Sequence, residues 1–349
     1  MPRRSLGVRF SRAVDRGVLW RLGVVGITEN GARPNLPGDP DIFWGAARLD
    51  PAGDLEEHAL QTRRRQRAFG NGAVRVDLTG PSQGPGEHWG ASNLRATALL
   101  HPDPAAPMVV VLHGYAVPTP WYEERTMHQL LRRGMSAVRV ELPFHLSRRL
   151  RRKSPGHGFF SSDIGHVVAV LRQAVEDVAS VIAWSHRRGA GAVGLQGVSL
   201  GGLVAALYAA NRVVDSAVII TPPCDLARII METAPLRLRR RLDLLDGRGG
   251  RWGVDAAAAR AALEDLAAPV IPRRLRPRTN PDNLAIVVAD HDLIVGAEPV
   301  RELAATWGTD LWSYPRGHVT VMSARGLTTR VQERLVADLR APAPLVAAG

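Results

Sequence analysis

The residues whose types and spacing could do chemistry are Ser199, His318 and one of the two carboxylates Asp290 and Asp292. Ser199 stands in Gly197-Val198-Ser199-Leu200-Gly201-Gly202, after an apolar run that begins at Ala192 and before the helix-forming run Leu203 to Ala210. A strand that passes through G-x-S-x-G directly into a helix makes the sharp turn that lifts a serine hydroxyl above a sheet. Glycines flank the serine because its backbone is strained and side chains at those positions would clash across the turn. A serine hydroxyl is a poor nucleophile near neutral pH and needs a base to take its proton as it attacks a carbonyl. His318 is the candidate base, in the segment Tyr314-Pro315-Arg316-Gly317-His318 just past a strand. A carboxylate has to hold the tautomer of that imidazole and offset its charge, and Ala289-Asp290-His291-Asp292 offers two. The oxyanion formed in acyl transfer needs preorganised donors, and the N–H of Leu200, directly after the serine, is the first candidate. The competing reading is that the small residues merely pack a helix against a sheet.

The elements that must position these groups can be read along the chain. Val74 to Leu78 alternates like a half-buried strand, and Asn93 to Leu100 is its expected antiparallel neighbour across a turn at Gly80 to Gly90. Met108 to Leu112 is continuously apolar, as a parallel strand covered on both faces should be, and His113-Gly114-Tyr115 ends it. A helix is expected from Trp121 to a glycine cap at Gly134, followed by a strand from Ala137 to Leu142. The helix from Asp163 carries Ile164, Val168, Leu171, Val175, Val178 and Ile182 on one stripe. Ala217–Ile220, Leu284–Ala289 and Asp310–Tyr314 are further strands, and Leu327–Leu339 is a closing helix. Alternation of this kind implies an α/β protein with a mostly parallel sheet and helices on both faces, whose ligands gather at the carboxyl ends of the strands. Residues 73–340 form the expected main domain, with a cap or lid inserted at about 222–282, before the last two strands. Residues 1–72 read as an N-terminal extension of helices and loop: a short helix around Val18 to Ile27, a surface loop over 29–50, and a polar helix over Leu55–Phe69 with Arg63, Arg64, Arg65 and Arg67 on a solvated face. Residues 341–349 read as a loose tail.

Composition bounds the partners. With 45% hydrophobic and 22% charged residues among 349, the chain is globular. The single Cys224 cannot form an internal disulfide, which fits a reducing, cytoplasmic setting. A net charge of +12 raises nucleic acid as a partner, but every basic residue except Lys153 is Arg, which reads as a coding bias spread over the whole surface, so no nucleic acid is expected. Arg21 interrupts the N-terminal apolar run, no cleavage site follows it, and no stretch is long enough to span a bilayer; resting on a membrane surface stays open. No P-loop, dinucleotide fingerprint or H-E-x-x-H occurs, so neither a cofactor nor a metal is expected.

The order Ser199, then Asp, then His318 resembles that of the α/β-hydrolase superfamily over roughly 73–340. Within it, the chain is similar to the branch called abhydrolase domain-containing protein eighteen. Leu142-Pro143-Phe144-His145 with arginines after it, the long helix leading to the serine, Ile286-Val287-Val288 running to Asp292, and Gly317-His318-Val319-Thr320 carry that likeness. The resemblance implies the α/β-hydrolase fold and an acid three residues past the small residue that ends the strand, which selects Asp292 and leaves Asp290 as a turn residue. It also implies that His113-Gly114 opens an oxyanion loop, with the Tyr115 N–H as second donor. His113, Gly114, His145, Arg148 and Arg149 are candidate substrate-binding residues, the arginines suited to an anionic group. A serine at the elbow implies a carboxylesterase- or lipase-like reaction on a small-molecule or lipid acyl ester through an acyl-enzyme. Thioesterase, amidase or acyltransferase chemistry, and a fold kept as a binding module without turnover, remain alternatives. The oligomeric state is not legible.

Overall fold

A computed structural model describes residues 6–22, 43–44, 61–68, 72–82, 93–161, 164–229 and 256–340. Its centre is a nine-stranded sheet in the order β1-β2-β3-β5-β4-β6-β7-β8-β9. The strands are β1 Gln61–Ala68, β2 Val74–Pro81, β3 Asn93–Leu100, β4 Met108–Leu112, β5 Ser136–Val140, β6 Val193–Val198, β7 Ser216–Ile220, β8 Leu284–Ala289 and β9 Asp310–Tyr314. β1, β2 and β3 pair antiparallel, as does β3 with β5, and from β5 to the β9 edge every pairing is parallel. The parallel strands β4 and β8 read as uninterrupted apolar runs because helices cover both of their faces. β4, β7 and β8 are buried at every position.

The helices are α1 Leu6–Leu22, α2 Trp121–Arg132, α3 Ile164–Arg187, α4 Leu200–Asn211, α5 Ala256–Leu266, α6 Ala297–Trp307 and α7 Leu327–Arg340. Alternate residues of β4 feed two separate cores. Met108, Val110 and Leu112 join the core under α3, α4 and α6, whereas Val109 and Val111 join the one under α2 and α7. The predicted stripe of α3 is buried throughout. α4 has no exposed face at all, so the turn in front of it is held from every side. Among the described residues no helix is long and apolar enough to cross a membrane.

Three sequence expectations need revision. Residues 61–68 are not helical; they add β1 to the antiparallel edge, in register with β2 from Gln61 opposite Thr79 to Ala68 opposite Val74, with an irregularity between Arg63 and Arg67. The N-terminal helix runs over Leu6–Leu22, earlier than the apolar stretch suggested. α6, between the two carboxylates and β9, was not anticipated; Gly308, at φ +66°, closes it. The middle of the expected cap or lid, the tail 341–349, and most of the 29–50 and 80–90 loops lie outside the described residues.

Candidate active site

The turn between β6 and α4 has the geometry that its glycines imply. Ser199 sits at φ 52°, ψ −116°, a backbone region that an L-residue occupies only under strain, and its N–H donates to the Ile220 carbonyl at 2.8 Å. A Cβ on Gly197 would fall onto the carbonyl of Gly201, and one on Gly201 would lie 2.5 Å from the Leu112 oxygen. Only glycine lets α4 cross so near the strand ends. Leu200 is the first residue of α4, so its N–H has no acceptor within the helix and is left for whatever stands before the turn.

Three loops bring the candidate residues together. Ser199 Oγ is 2.8 Å from His318 Nε2, and His318 Nδ1 is 2.7 Å from Asp292 Oδ2. The other oxygen of Asp292 accepts the N–H groups of Ile294 and Val295, at 2.8 and 2.9 Å. Asp292 and His318 are 7% and 8% exposed, which matters because a weakly solvated pair interacts more strongly than a surface one. Burial pushes the Asp292 carboxyl up, but His318 and the two amide donors more than offset it, leaving the acid below its ordinary range. Burial pulls the His318 imidazole down, and Asp292 and Asp15 more than offset that, leaving it above its ordinary value. Asp290 points elsewhere, to Arg301 at 2.6 Å and to the hydroxyl of Ser313. The main chain knits these loops together, with Asp290 N–H on the Tyr314 carbonyl and His291 N–H on that of Arg316.

Gly114 lies directly beside the nucleophile candidate; a Cβ there would come 3.6 Å from Ser199 Cβ. The structure therefore places the His113-Gly114-Tyr115 loop next to the serine. The side chain of Tyr115 points into an aromatic cluster, 5.4 Å from the ring of His145 and 4.9 Å from that of Phe160. Gly156, at φ +81°, passes so close over this pair that a Cβ would lie 2.7 Å from the Tyr115 ring and 2.9 Å from His145 Nε2.

Several proposed substrate contacts are corrected by burial. His113 is wholly buried; Leu142 N–H donates to its Nε2 at 3.1 Å and its Nδ1–H donates to the Gly114 carbonyl at 2.8 Å. With both nitrogens used and its pKa brought down by burial to about 4, it is a neutral pin between the ends of β4 and β5 rather than a substrate ligand. His145 is wholly buried too, its Nδ1–H donating to the Pro143 carbonyl at 2.8 Å, and it backs Tyr115 instead of lining a pocket mouth. Arg148 is withdrawn from solvent: it pairs with Asp177 at 2.7 Å, both side chains fully buried, and donates to the Glu141 carbonyl and to Ser82 Oγ. Of the two arginines, only Arg149 is exposed. The signal that could have revealed this is Asp177 itself, a carboxylate set among the apolar residues Val175 and Val178 of α3. Arg148→Met should therefore lower stability by about 3–5 kcal/mol, the cost of stranding a buried charge. Urea unfolding reads this, and a change below about 1 kcal/mol would return Arg148 to the ordinary surface.

Charged side chains among the described residues of 222–282 are also paired with one another. Arg273 meets Asp225 at 3.1 Å and Arg274 meets Glu264 at 3.3 Å. Cys224 is buried, its thiol pushed up to about 12 by desolvation, so it is no nucleophile. Among the described residues no cluster of His, Cys, Asp and Glu is arranged to hold a metal ion. One residue near the site was missed by sequence reasoning altogether. Asp15 of α1 accepts hydrogen bonds from the main chain of both loops, at Leu293 and at His318.

This sheet order, with a strained serine between β6 and α4, is that of the α/β-hydrolase fold, and the chain has that fold. The family described as Alpha/beta hydrolase domain containing 18 matches residues 94–225, the stretch from β3 through Ser199 to the loop after β7, so the likeness to that branch holds there. Acetyl xylan esterase 1 from Thermoanaerobacterium sp. JW/SL YS485 superposes with a TM-score of 0.62 at 17% identity, over 93% of this chain and 99% of that one. An acetyl xylan esterase from Paenibacillus sp. R4 gives 0.54 at 14% identity, over 91% and 98%. No curated protein is similar enough in sequence to count as a relative.

Proposed function

We propose that the protein is a serine hydrolase that cleaves acyl esters through Ser199, His318 and Asp292. The observation that carries this reading is the continuous chain from Ser199 Oγ to His318 Nε2 at 2.8 Å and from His318 Nδ1 to Asp292 at 2.7 Å. Asp292 fixes the proton on Nδ1, which leaves the lone pair of Nε2 facing the serine. As Oγ attacks the ester carbonyl, its proton passes to Nε2 and the carbonyl electrons move onto oxygen. The N–H groups of Leu200 and Tyr115 receive that oxyanion. The electrons return, the C–O bond to the alcohol breaks, and the imidazolium nitrogen Nε2 gives its proton to the departing oxygen. Water, deprotonated by the same nitrogen, then cleaves the acyl-enzyme and restores the serine.

His318 works only when neutral, and its pKa is raised. Activity should therefore be lost as the pH falls through that raised value, so the acid limb of kcat/KM for p-nitrophenyl acetate should have its midpoint above about 6.5. A midpoint at or below that of a free imidazole would contradict the Asp292–His318 pairing. Labelling with a fluorophosphonate probe, followed by peptide mapping, should place the adduct on Ser199. A protein that takes up no probe would be a hydrolase fold kept for binding.

A further inference from the structure

The helix α1 lies against the strand ends through polar groups. Ser11 and Asp15, four residues apart and so on one helical face, are 1% and 0% exposed. Burying a carboxylate is costly unless hydrogen bonds meet its oxygens. Asp15 Oδ2 accepts the N–H of His318 at 2.9 Å and that of Leu293 at 3.1 Å, and Oδ1 accepts the N–H of Val319 at 3.3 Å. Leu293 directly follows Asp292, so a single carboxylate grips the neighbour of the acid and the main chain of the base. Gly317 bears the mark of this contact: a Cβ there would lie 2.7 Å from Asp15 Oδ2 and 3.0 Å from Cγ and Oδ1. Its glycine is thus required by the carboxylate that presses on it, since its φ is not in the left-handed region. Ser11 adds a second tie, its hydroxyl meeting that of Thr320 at 2.9 Å, which in turn accepts the Gly317 N–H.

We propose that Asp15 is a positioning residue of the active site, a carboxylate delivered by the N-terminal segment that holds the Asp292 loop against the His318 loop. This rests on the serine-hydrolase reading of Ser199. Without the clamp, His318 could move relative to Ser199 Oγ, and misplacement of reacting groups by about 1 Å can cost about a hundredfold in rate. The charged groups that act on His318 are Asp292, from the loop after β8, and Asp15, from α1; both favour the imidazolium.

The test is Asp15→Asn in the full chain. Asparagine keeps the shape and one accepting oxygen but removes the charge and sets an NH2 against an amide donor. With p-nitrophenyl acetate, kcat should fall about a hundredfold while KM stays near its wild-type value. The acid limb should move to lower pH, because one of the two negative charges raising the imidazole pKa is gone; mere loosening of the fold would not shift it in that direction. Gly317→Ala supplies a coupled readout. It should impair the wild-type protein but add little in an Asp15→Ala background, where the clash is absent. Wild-type kcat and an unmoved acid limb in Asp15→Asn, in a protein whose Ser199 does take the fluorophosphonate, would overturn the role of Asp15 alone. Failure of the wild-type protein to label would overturn both readings. Hydrogen exchange of the wild-type chain needs no variant: the amides of Leu293 and His318 should exchange slowly, and rapid exchange at both would show that the clamp does not hold.

Discussion

Ser199→Ala should abolish ester turnover, with a loss of about a millionfold in kcat, while the protein remains folded. The rate falls so far because the nucleophile and the base act as one unit: with Oγ gone, His318 Nε2 has no proton to take and no acyl-enzyme can form. The fold survives because only a hydroxyl at a half-buried turn is lost, whereas the contacts that shape the turn are made by the main chain. Ser199 N–H still donates to Ile220, and Gly197, Gly201 and Gly202 still let α4 approach the strand ends. Alanine keeps the strain of φ 52°. Ser199→Gly should relieve it, gaining about 1–3 kcal/mol against an entropic cost of about 0.5–1 kcal/mol, and so melt above Ser199→Ala. More than a few per cent residual turnover in either variant would mean that the chemistry lies elsewhere.

The candidate site was legible where its information is local. Glycine spacing around Ser199 reports a backbone turn, because each added Cβ would strike a neighbouring carbonyl, so the signal needs no knowledge of the rest of the fold. His318 was found by its place after the last strand. Asp292 was separated from Asp290 only by resemblance to a family, since both are carboxylates on one loop; the structure separates them through α6, whose Arg301 takes Asp290. Asp15 was invisible because its partners are backbone amides, which leave no side-chain signature, and because they lie some three hundred residues along the chain. Arg148 was misjudged for a related reason: its partner Asp177 sits on another element, and an arginine beside other arginines looks like surface until that partner is known. The misreading of 61–68 has a different origin. Gln61-Thr62-Arg63-Arg64-Arg65-Gln66-Arg67-Ala68 consists largely of good helix formers and lacks apolar alternation. What makes it a strand is its pairing with β2, a tertiary effect that local propensity does not contain.

Asp292→Asn should reduce kcat by about ten-thousandfold while Asp290→Asn stays close to wild type. The argument turns on which way the new amide faces. Asp292 meets two backbone donors with one oxygen, from Ile294 and Val295, and His318 with the other. Turning the asparagine oxygen toward His318 would set the NH2 against both N–H groups, whereas the opposite orientation keeps those two bonds and places the NH2 at Nδ1. The second arrangement wins, three bonds to one, and it obliges Nδ1 to become an acceptor. The ring proton then sits on Nε2, pointing at Ser199, and the imidazole cannot take the hydroxyl proton. Loss of the carboxylate charge also lowers the pKa of His318, so the residual activity should extend to more acidic pH than that of the wild type. Asp290, held by Arg301 and Ser313 on the far side of the loop, touches none of this. Steady-state kinetics of the two variants with p-nitrophenyl acetate decide the matter, and a larger loss from Asp290→Asn than from Asp292→Asn would mean that the acid has been assigned to the wrong carboxylate.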